Sequence, residues 1–293
     1  MLNNKPIEAL IRQRFSCRTY LDRPIEEQKR QQLANAMAAA NAGPLGSRTR
    51  FQLIAATEDD RAALRGLGTY GVIRGATGFI VGAVEEGSKS FEDLGYLTEE
   101  IVLFATSIGL GTCWLGGTFN RSRFASAIDL RPGESMPAVV AAGYISEKRG
   151  FVDRMFRREA GSDNRLSWEQ LFFDSRFGVL LSPDSAGAYA LPLEMVRLGP
   201  SASNRQPWRI VKDGSAWHFY LRRAPGYGPK GILGLAHIPD LQRGDMGIAM
   251  SHFALTAQDV GLRGQWVVEE PHITTPSPLT EYIVTWLEAA IAS

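Results

Sequence analysis

Residues 93–114 read DLGYLTEEIVLFATSIGLGTCW, and residues 245–266 read DMGIAMSHFALTAQDVGLRGQW. At this offset of about 152 residues, Asp93, Gly95, Leu103, Ala105, Gly109, Leu110 and Trp114 face Asp245, Gly247, Leu255, Ala257, Gly261, Leu262 and Trp266. Roughly a third of the aligned positions are identical, against the few per cent expected by chance, which is the signature of an internal repeat. The first stretch carries Leu94, Leu97, Ile101, Phe104 and Ile108 on one helical stripe, with Ser90 and Asp93 as start signals. Both stretches stop at Gly-Leu, glycine being the commonest residue just past a helix end. A second match agrees, since Gly43-Pro44 and Ser47 align with Gly199-Pro200 and Ser203.

Outward from these helices one grammar is written twice. In the first half Ile7, Leu10 and Ile11 mark a short helix, and Glu26 to Asn41 reads as a long Ala-rich helix stopped by Gly43-Pro44. Phe51 to Ala56 and Phe79 to Val84 are strand-like, with a charged helical stretch, Asp59 to Leu67, between them. Strands at Thr112 to Leu115 and Ala138 to Ile145 follow the long helix. After a connecting stretch rich in Arg, Gly and Asp (Ser146 to Arg165), Leu191 to Leu198 reads as a helix. Arg209 to Lys212 and Trp217 to Leu221 read as a hairpin over Asp213-Gly214. Leu241 to Val260 is the second long helix, followed by strands at Gln265 to Val268 and Tyr282 to Trp286. The expected class is α+β, in two halves divided as 1–165 and 166–293.

Composition removes several function classes. The 293 residues are 44% hydrophobic, and 32 Lys and Arg nearly balance 31 Asp and Glu. A net charge of +1 gives no electrostatic case for nucleic acid or an acidic membrane surface. Two cysteines, Cys17 and Cys113, make no disulfide framework and fit a reducing compartment. Four scattered histidines lack metal-ligand spacing. Met1 to Tyr20 does not read as a signal peptide, and no apolar run reaches the roughly 18 residues of a membrane span. The expected location is the cytoplasm. Gly66 to Gly71 matches G-x-G-x-x-G, but with a helical stretch before it and a strand after, the reverse of the dinucleotide fingerprint. No G-x-S-x-G elbow is present, and Cys113, in a strand with no nearby His, reads as a buried structural thiol.

Three stretches carry chemistry. Arg14-Phe15-Ser16-Cys17-Arg18 puts two guanidinium forks and a hydroxyl within five residues, a donor set suited to phosphate. Gly199-Pro200-Ser201-Ala202-Ser203-Asn204-Arg205-Gln206-Pro207-Trp208 is poor helix and poor strand. Its two amides donate and accept together, which suits a heterocycle with alternating carbonyls and ring nitrogens, such as flavin. Gly109 to Gly117 runs from a helix end through a strand to Gly116-Gly117, where backbone amides can approach a flat ligand.

In this order the three stretches resemble the nitroreductase family. Arg14-x-Ser16-x-Arg18 is similar to its N-terminal phosphate motif, and Pro200-Ser201-Ala202-Ser203-Asn204-x-Gln206-Pro207-Trp208 to its flavin-edge motif. Ala105 to Trp114 is similar to the core helix that runs into the loop behind the flavin. Ile128 to Gly143 and Asn164-Arg165-Leu166 resemble the closing strand and the C-terminal basic contact. Ordinary members carry the edge motif between the phosphate motif and the core helix. Here that place holds Gly43 to Phe51, without Asn, Gln or Pro-Trp. The intact edge lies in the second half, which lacks Arg-x-Ser-x-Arg and follows Trp266 with Val267-Val268-Glu269-Glu270 rather than Leu-Gly-Gly.

The family builds each flavin site across a dimer interface. The resemblance therefore implies a nitroreductase-like tandem pseudo-dimer, as in the single-chain TM-type branch first seen in thermophilic bacteria. It implies one FMN per chain, NADPH or NADH as electron donor, and ping-pong hydride transfer to a nitroaromatic, quinone or similar small acceptor. It also implies a monomer, the usual interface being internal. Arg14, Ser16, Arg18 and Arg165 fall to the phosphate. Pro200, Ser201, Ser203, Asn204 and Gln206 fall to the ribityl chain and pyrimidine edge. Trp114, Leu115, Gly116 and Gly117 form the backing loop, and no side chain is implied as an obligatory general acid. Dehalogenation, enone reduction or azole-forming dehydrogenation on the same scaffold, and a non-catalytic or sensory flavin-binding protein, are the alternatives.

Overall fold

The computed structural model describes residues 5–146, 164–224 and 239–289, so most of the connecting stretch lies outside the described residues. In the first half, helices α1 (Ile7–Gln13) and α2 (Glu27–Ala39) precede strands β1 (Thr49–Ala55) and β2 (Gly78–Glu85). The long helix α3 (Ser90–Ser107) leads to β3 (Gly111–Leu115), then α4 (Arg121–Ala127), β4 (Glu134–Ser135) and β5 (Val139–Gly143). The sheet runs β1-β2-β5-β3 with β4 also on β2, antiparallel throughout. β5 is central, and Val139, Val140, Ala141 and Ala142 are buried on both faces, which is why its sequence is a continuous apolar run.

The second half repeats this order. Strand β6 (Phe172–Asp174) and helix α5 (Ala190–Arg197) lead to β7 (Trp208–Asp213) and β8 (Ala216–Arg222). Long helix α6 (Leu241–Asp259) is followed by β9 (Gly264–Val267) and β10 (Thr280–Glu288). The order β7-β8-β10-β9 matches β1-β2-β5-β3 strand for strand, with β6 added parallel to β7 at the edge. The hairpin forms as expected, with Gly214 at φ +58° in the turn. Tyr189, Trp217, Phe219, Phe253 and Trp286 pack ring against ring between this sheet and α6.

The halves join where α3 crosses α6. A Cβ on Gly95 would stand 2.9 Å from the Gly244 carbonyl carbon, and one on Gly247 would stand 2.6 Å from Tyr96 N and closer still to Glu92 O. Gly244 occupies in α6 the place that Glu92 holds in α3, so each helix offers its glycine to the same point of the other. This is the reciprocity of an isologous interface, made within one chain. The loops before the first strands are anchored alike. Leu45 N and Ser47 N donate to the Asp93 carboxylate, both at 2.8 Å, and Ala202 N donates to Asp245 Oδ1 at 2.9 Å.

Two local expectations need correction. Asp59 to Leu67 holds only a 3-10 turn at Ala62–Leu64, because Asp60 caps Ala62 N and Gly66 leaves the helical region at φ +83°. Ser90 and Asp93 do not cap α3: Ser90 Oγ donates to Gly87 O, and Asp93 faces sideways to hold the 45–47 loop. Among the described residues no helix is long and apolar enough to cross a membrane, and no group of His, Cys, Asp or Glu could hold a metal ion.

Candidate functional site

The phosphate motif begins where α1 ends. Arg14 N still reaches Leu10 O at 2.9 Å, but the backbone turns extended at ψ +133°. The strip that follows runs beside the start of β3: Ser16 pairs with Thr112, Cys17 N donates to Thr112 O at 2.8 Å, and Arg74 N donates to Arg18 O at 2.9 Å. Thr112 lies two residues before Trp114, so this pairing brings the phosphate motif and the backing loop onto one edge. Arg18 Nη1 approaches Ser16 O at 3.5 Å, curling back over the motif.

The backing loop touches both halves. A Cβ on Gly116 would stand 2.8 Å from Leu241 Cδ2, so the glycine lets this loop lie close against the first residue of α6. Arg121 pins the other side, with Nη1 donating to Met136 O at 2.6 Å and Nη2 to Gly116 O at 3.3 Å. Leu115 is buried and Gly117 is exposed.

The edge motif is held in an uncommon backbone shape. Ser203, Asn204 and Gln206 have φ of +49°, +53° and +48°, a left-handed conformation disfavoured for residues with a Cβ. Gln206 N donates to Ser201 Oγ at 2.8 Å and Ala202 N to Asp245, and together these fix the turn. Arg165 joins the motif here: its Nη1 donates to Asn204 Oδ1 at 3.0 Å and its Nη2 to Leu198 O at 3.2 Å. Asn204 Nδ2 donates to Asn164 O at 2.8 Å, and Gln206 Oε1 accepts from Leu166 N at 2.8 Å. Gln206 is only 3% exposed, so in this arrangement its amide grips residues 164–166 of the connecting stretch. Pro200 and Ser201 are half-buried and Ser203 is exposed. Trp208 is fully buried in β7, so core packing accounts for the Pro-Trp end of the motif.

Beneath these elements lies a cluster that reading the sequence missed. Glu99 of α3 is fully buried and accepts from His252 Nε2 at 3.0 Å and from Trp114 Nε1 at 2.8 Å, with Arg14 Nε at 3.7 Å. Burial opposes ionisation of Glu99. The hydrogen bond from His252 and the charge of Arg14 overcome it and hold the carboxyl below its ordinary range. His252 Nδ1 faces Met195 O at 2.9 Å, and a carbonyl can only accept. Nδ1 therefore donates to that carbonyl, which leaves Nε2 to face the Glu99 carboxyl. The partners lie 153 residues apart, and only the pairing of the two long helices could have hinted at them.

For two other carboxyls burial is the leading cause. The carboxyl of Asp245, which anchors the edge turn, is pushed up to about 8 by burial, partly offset by the Ala202 hydrogen bond. Glu100, beside Glu99 on α3, is pushed up to about 7 by burial. It lines a groove of about 540 Å³ between α2, α3 and α6 together with Ile101, Phe104 and Leu255.

Comparison with known proteins fits this architecture. A family model described as "Putative TM nitroreductase" matches residues 6–257. A solved structure described as "a putative nitroreductase" from Thermotoga maritima is 19% identical; the alignment covers 97% of this chain and 94% of that one with a TM-score of 0.59. A nitroreductase family protein from Clostridium difficile is 21% identical over 53% of this chain and 92% of its own, with a TM-score of 0.40. A structure described as "a putative nitroreductase in complex with fmn" from Desulfovibrio desulfuricans is 25% identical over 52% of this chain and 95% of its own, with a TM-score of 0.38. No curated protein matches the chain. The family match takes in α3, nearly all of α6 and all three motif stretches, and the chain belongs to the TM-type nitroreductase family.

Proposed function

We propose that the chain is an FMN-dependent NAD(P)H oxidoreductase with one flavin site, built between halves 1–165 and 166–293. Arg14 carries this reading. Its side chain is 6% exposed, its Nε makes no hydrogen bond, and its carboxylate neighbour Glu99 is shared with His252. The guanidinium thus lies buried beside the phosphate motif with a donor unused. A bound phosphate would accept from it, so the residues present fit FMN.

In this reading Arg14, Ser16, Arg18 and Arg165 hold the phosphate. Pro200, Ser201, Ser203 and Asn204 line the ribityl and pyrimidine side, and Gln206 secures the strip that carries Arg165. Trp114, Leu115, Gly116 and Gly117 form the wall behind the ring, anchored by Glu99 and Arg121. Bound there, FMN would supply two-electron redox chemistry between NADH or NADPH and a nitroaromatic, quinone or similar small acceptor. The protein's part is to bind, orient and shield. No side chain is assigned as general acid, and solvent delivers the proton. With the usual subunit interface internal, the chain works as a monomer.

The test is a visible absorption spectrum of the purified protein before and after anaerobic NADPH, with NADH next. Flavin bands that bleach, with turnover of a quinone or nitroaromatic acceptor, are the expected result. Bands that persist with both donors favour a flavin-binding protein without turnover. A colourless protein that fails to take up added FMN overturns the reading.

A further inference from the structure

The Glu99 cluster touches two of the motif stretches and lies beside the start of the third. Through Arg14 it meets the phosphate motif, and through Trp114 Nε1 it meets the head of the backing loop. Through His252 it meets the second half, where Nδ1 rests on Met195 O and lies 3.6 Å from the place a Cβ on Gly199 would take. Gly199 opens the edge motif. The repeat supplies an internal comparison. Ser251 stands in α6 where Glu99 stands in α3, and Trp266, the counterpart of Trp114, has no carboxylate there to meet. Ser251 Oγ is buried without a hydrogen-bond partner. The network is thus assembled on the side where the motifs are intact and not on its pseudo-equivalent.

We propose that Glu99, held by His252 across the seam, is a positioning residue that orients Arg14 and Trp114 for the flavin site and so couples the second half to phosphate binding by the first. This rests on the flavin reading above. A carboxylate is needed for Arg14, whereas any acceptor oxygen serves Trp114 Nε1. Glu99→Gln keeps an acceptor for the indole and removes the charge that aligns the guanidinium. The effect should therefore fall on the phosphate end of the ligand and spare the ring.

The experiment is a pair of fluorescence titrations, with FMN and with riboflavin, on full-length flavin-stripped protein. It uses wild type, Glu99→Gln, Arg14→Ala and the double variant. Glu99→Gln is expected to weaken FMN about tenfold, the scale of one charge-assisted contact, with riboflavin affinity unchanged. The double variant should bind FMN no more weakly than Arg14→Ala, because Glu99 acts through Arg14. If Glu99→Gln does not fold, His252→Gln removes the same anchor from the other side, and the same split between the flavins is expected. Equal losses for both flavins, or additive losses in the double variant, reduce Glu99 to a structural residue. Unchanged FMN affinity in Glu99→Gln overturns the positioning role alone. A wild type that binds neither flavin overturns the functional reading and this role with it.

Discussion

Gly247→Ala tests the seam on which the architecture depends. The added methyl would stand 2.6 Å from Tyr96 N and closer to Glu92 O, both backbone atoms of a packed helix that cannot rotate away. Ordinary contact requires α3 and α6 to part by about 1 Å at their crossing, loosening Met246, Ala249, Met250 and Phe253, all fully buried. Overpacking of this kind costs about 1–3 kcal/mol, and two backbone walls put it at the upper end. The better helix propensity of Ala returns up to about 1 kcal/mol, leaving about 2 kcal/mol of destabilisation. That corresponds to about 4–6 °C in Tm. Urea denaturation followed by circular dichroism measures it. Gly95→Ala meets Gly244 in the reciprocal way and should behave alike, while Gly244→Ala, with Phe91 O 3.9 Å away, should be neutral or stabilising. The double Gly95→Ala, Gly247→Ala variant should lose less than the sum of the singles, because helices already parted admit the second methyl. Single variants within about 0.5 kcal/mol of wild type, or strict additivity, would refute the reciprocal close crossing.

Other expectations follow from the site. Asp245 is held near 8 in the folded chain against an ordinary 3.8, so the native state keeps a proton the unfolded chain has lost. Its stabilising contribution is full below about pH 4 and fades as pH rises through 8. Asp245→Asn keeps the acceptor for Ala202 N, so the stability of wild type relative to the variant should fall from pH 5 to pH 8 in urea titrations; a flat difference removes the buried neutral acid. Arg18→Ala and Arg165→Ala should each weaken FMN by about tenfold to a hundredfold and leave riboflavin nearly untouched, as read by flavin fluorescence. Flavin absorbance against protein concentration should give one FMN per chain, with light scattering reporting a monomer. A ratio of two would mean that the pseudo-equivalent site also binds.

The elements most legible in the sequence were those specified locally. The stripe Leu94, Leu97, Ile101, Phe104, Ile108 gave α3 within its own turns, and Asp213-Gly214 gave the hairpin through turn chemistry. The repeat was legible because Gly95 and Gly247 serve one shared crossing and Asp93 and Asp245 anchor equivalent loops. What escaped was set by tertiary contact. Asp93 looked like a cap and is an anchor for a loop 46–48 residues earlier. Gln206 looked like a ligand contact by its chemistry, and the fold gives its amide a grip on 164–166. Glu99 and His252 sit among apolar helical positions with no local sign that they meet. β6 was hidden because three residues added parallel at an edge carry no periodicity.

A homodimer writes every residue twice, so a change that suits one side of its axis is imposed on the other. Joining the copies in one chain lifts that obligation. Glu99 and Glu100 on α3 correspond to Ser251 and His252 on α6, so the Glu99–His252 hydrogen bond is one that no symmetric dimer could encode without a second, opposed copy. Freed from symmetry, one cleft could become more refined while its twin decayed. Gly95 and Gly247 had no such freedom, because each lies against the backbone of the opposite helix.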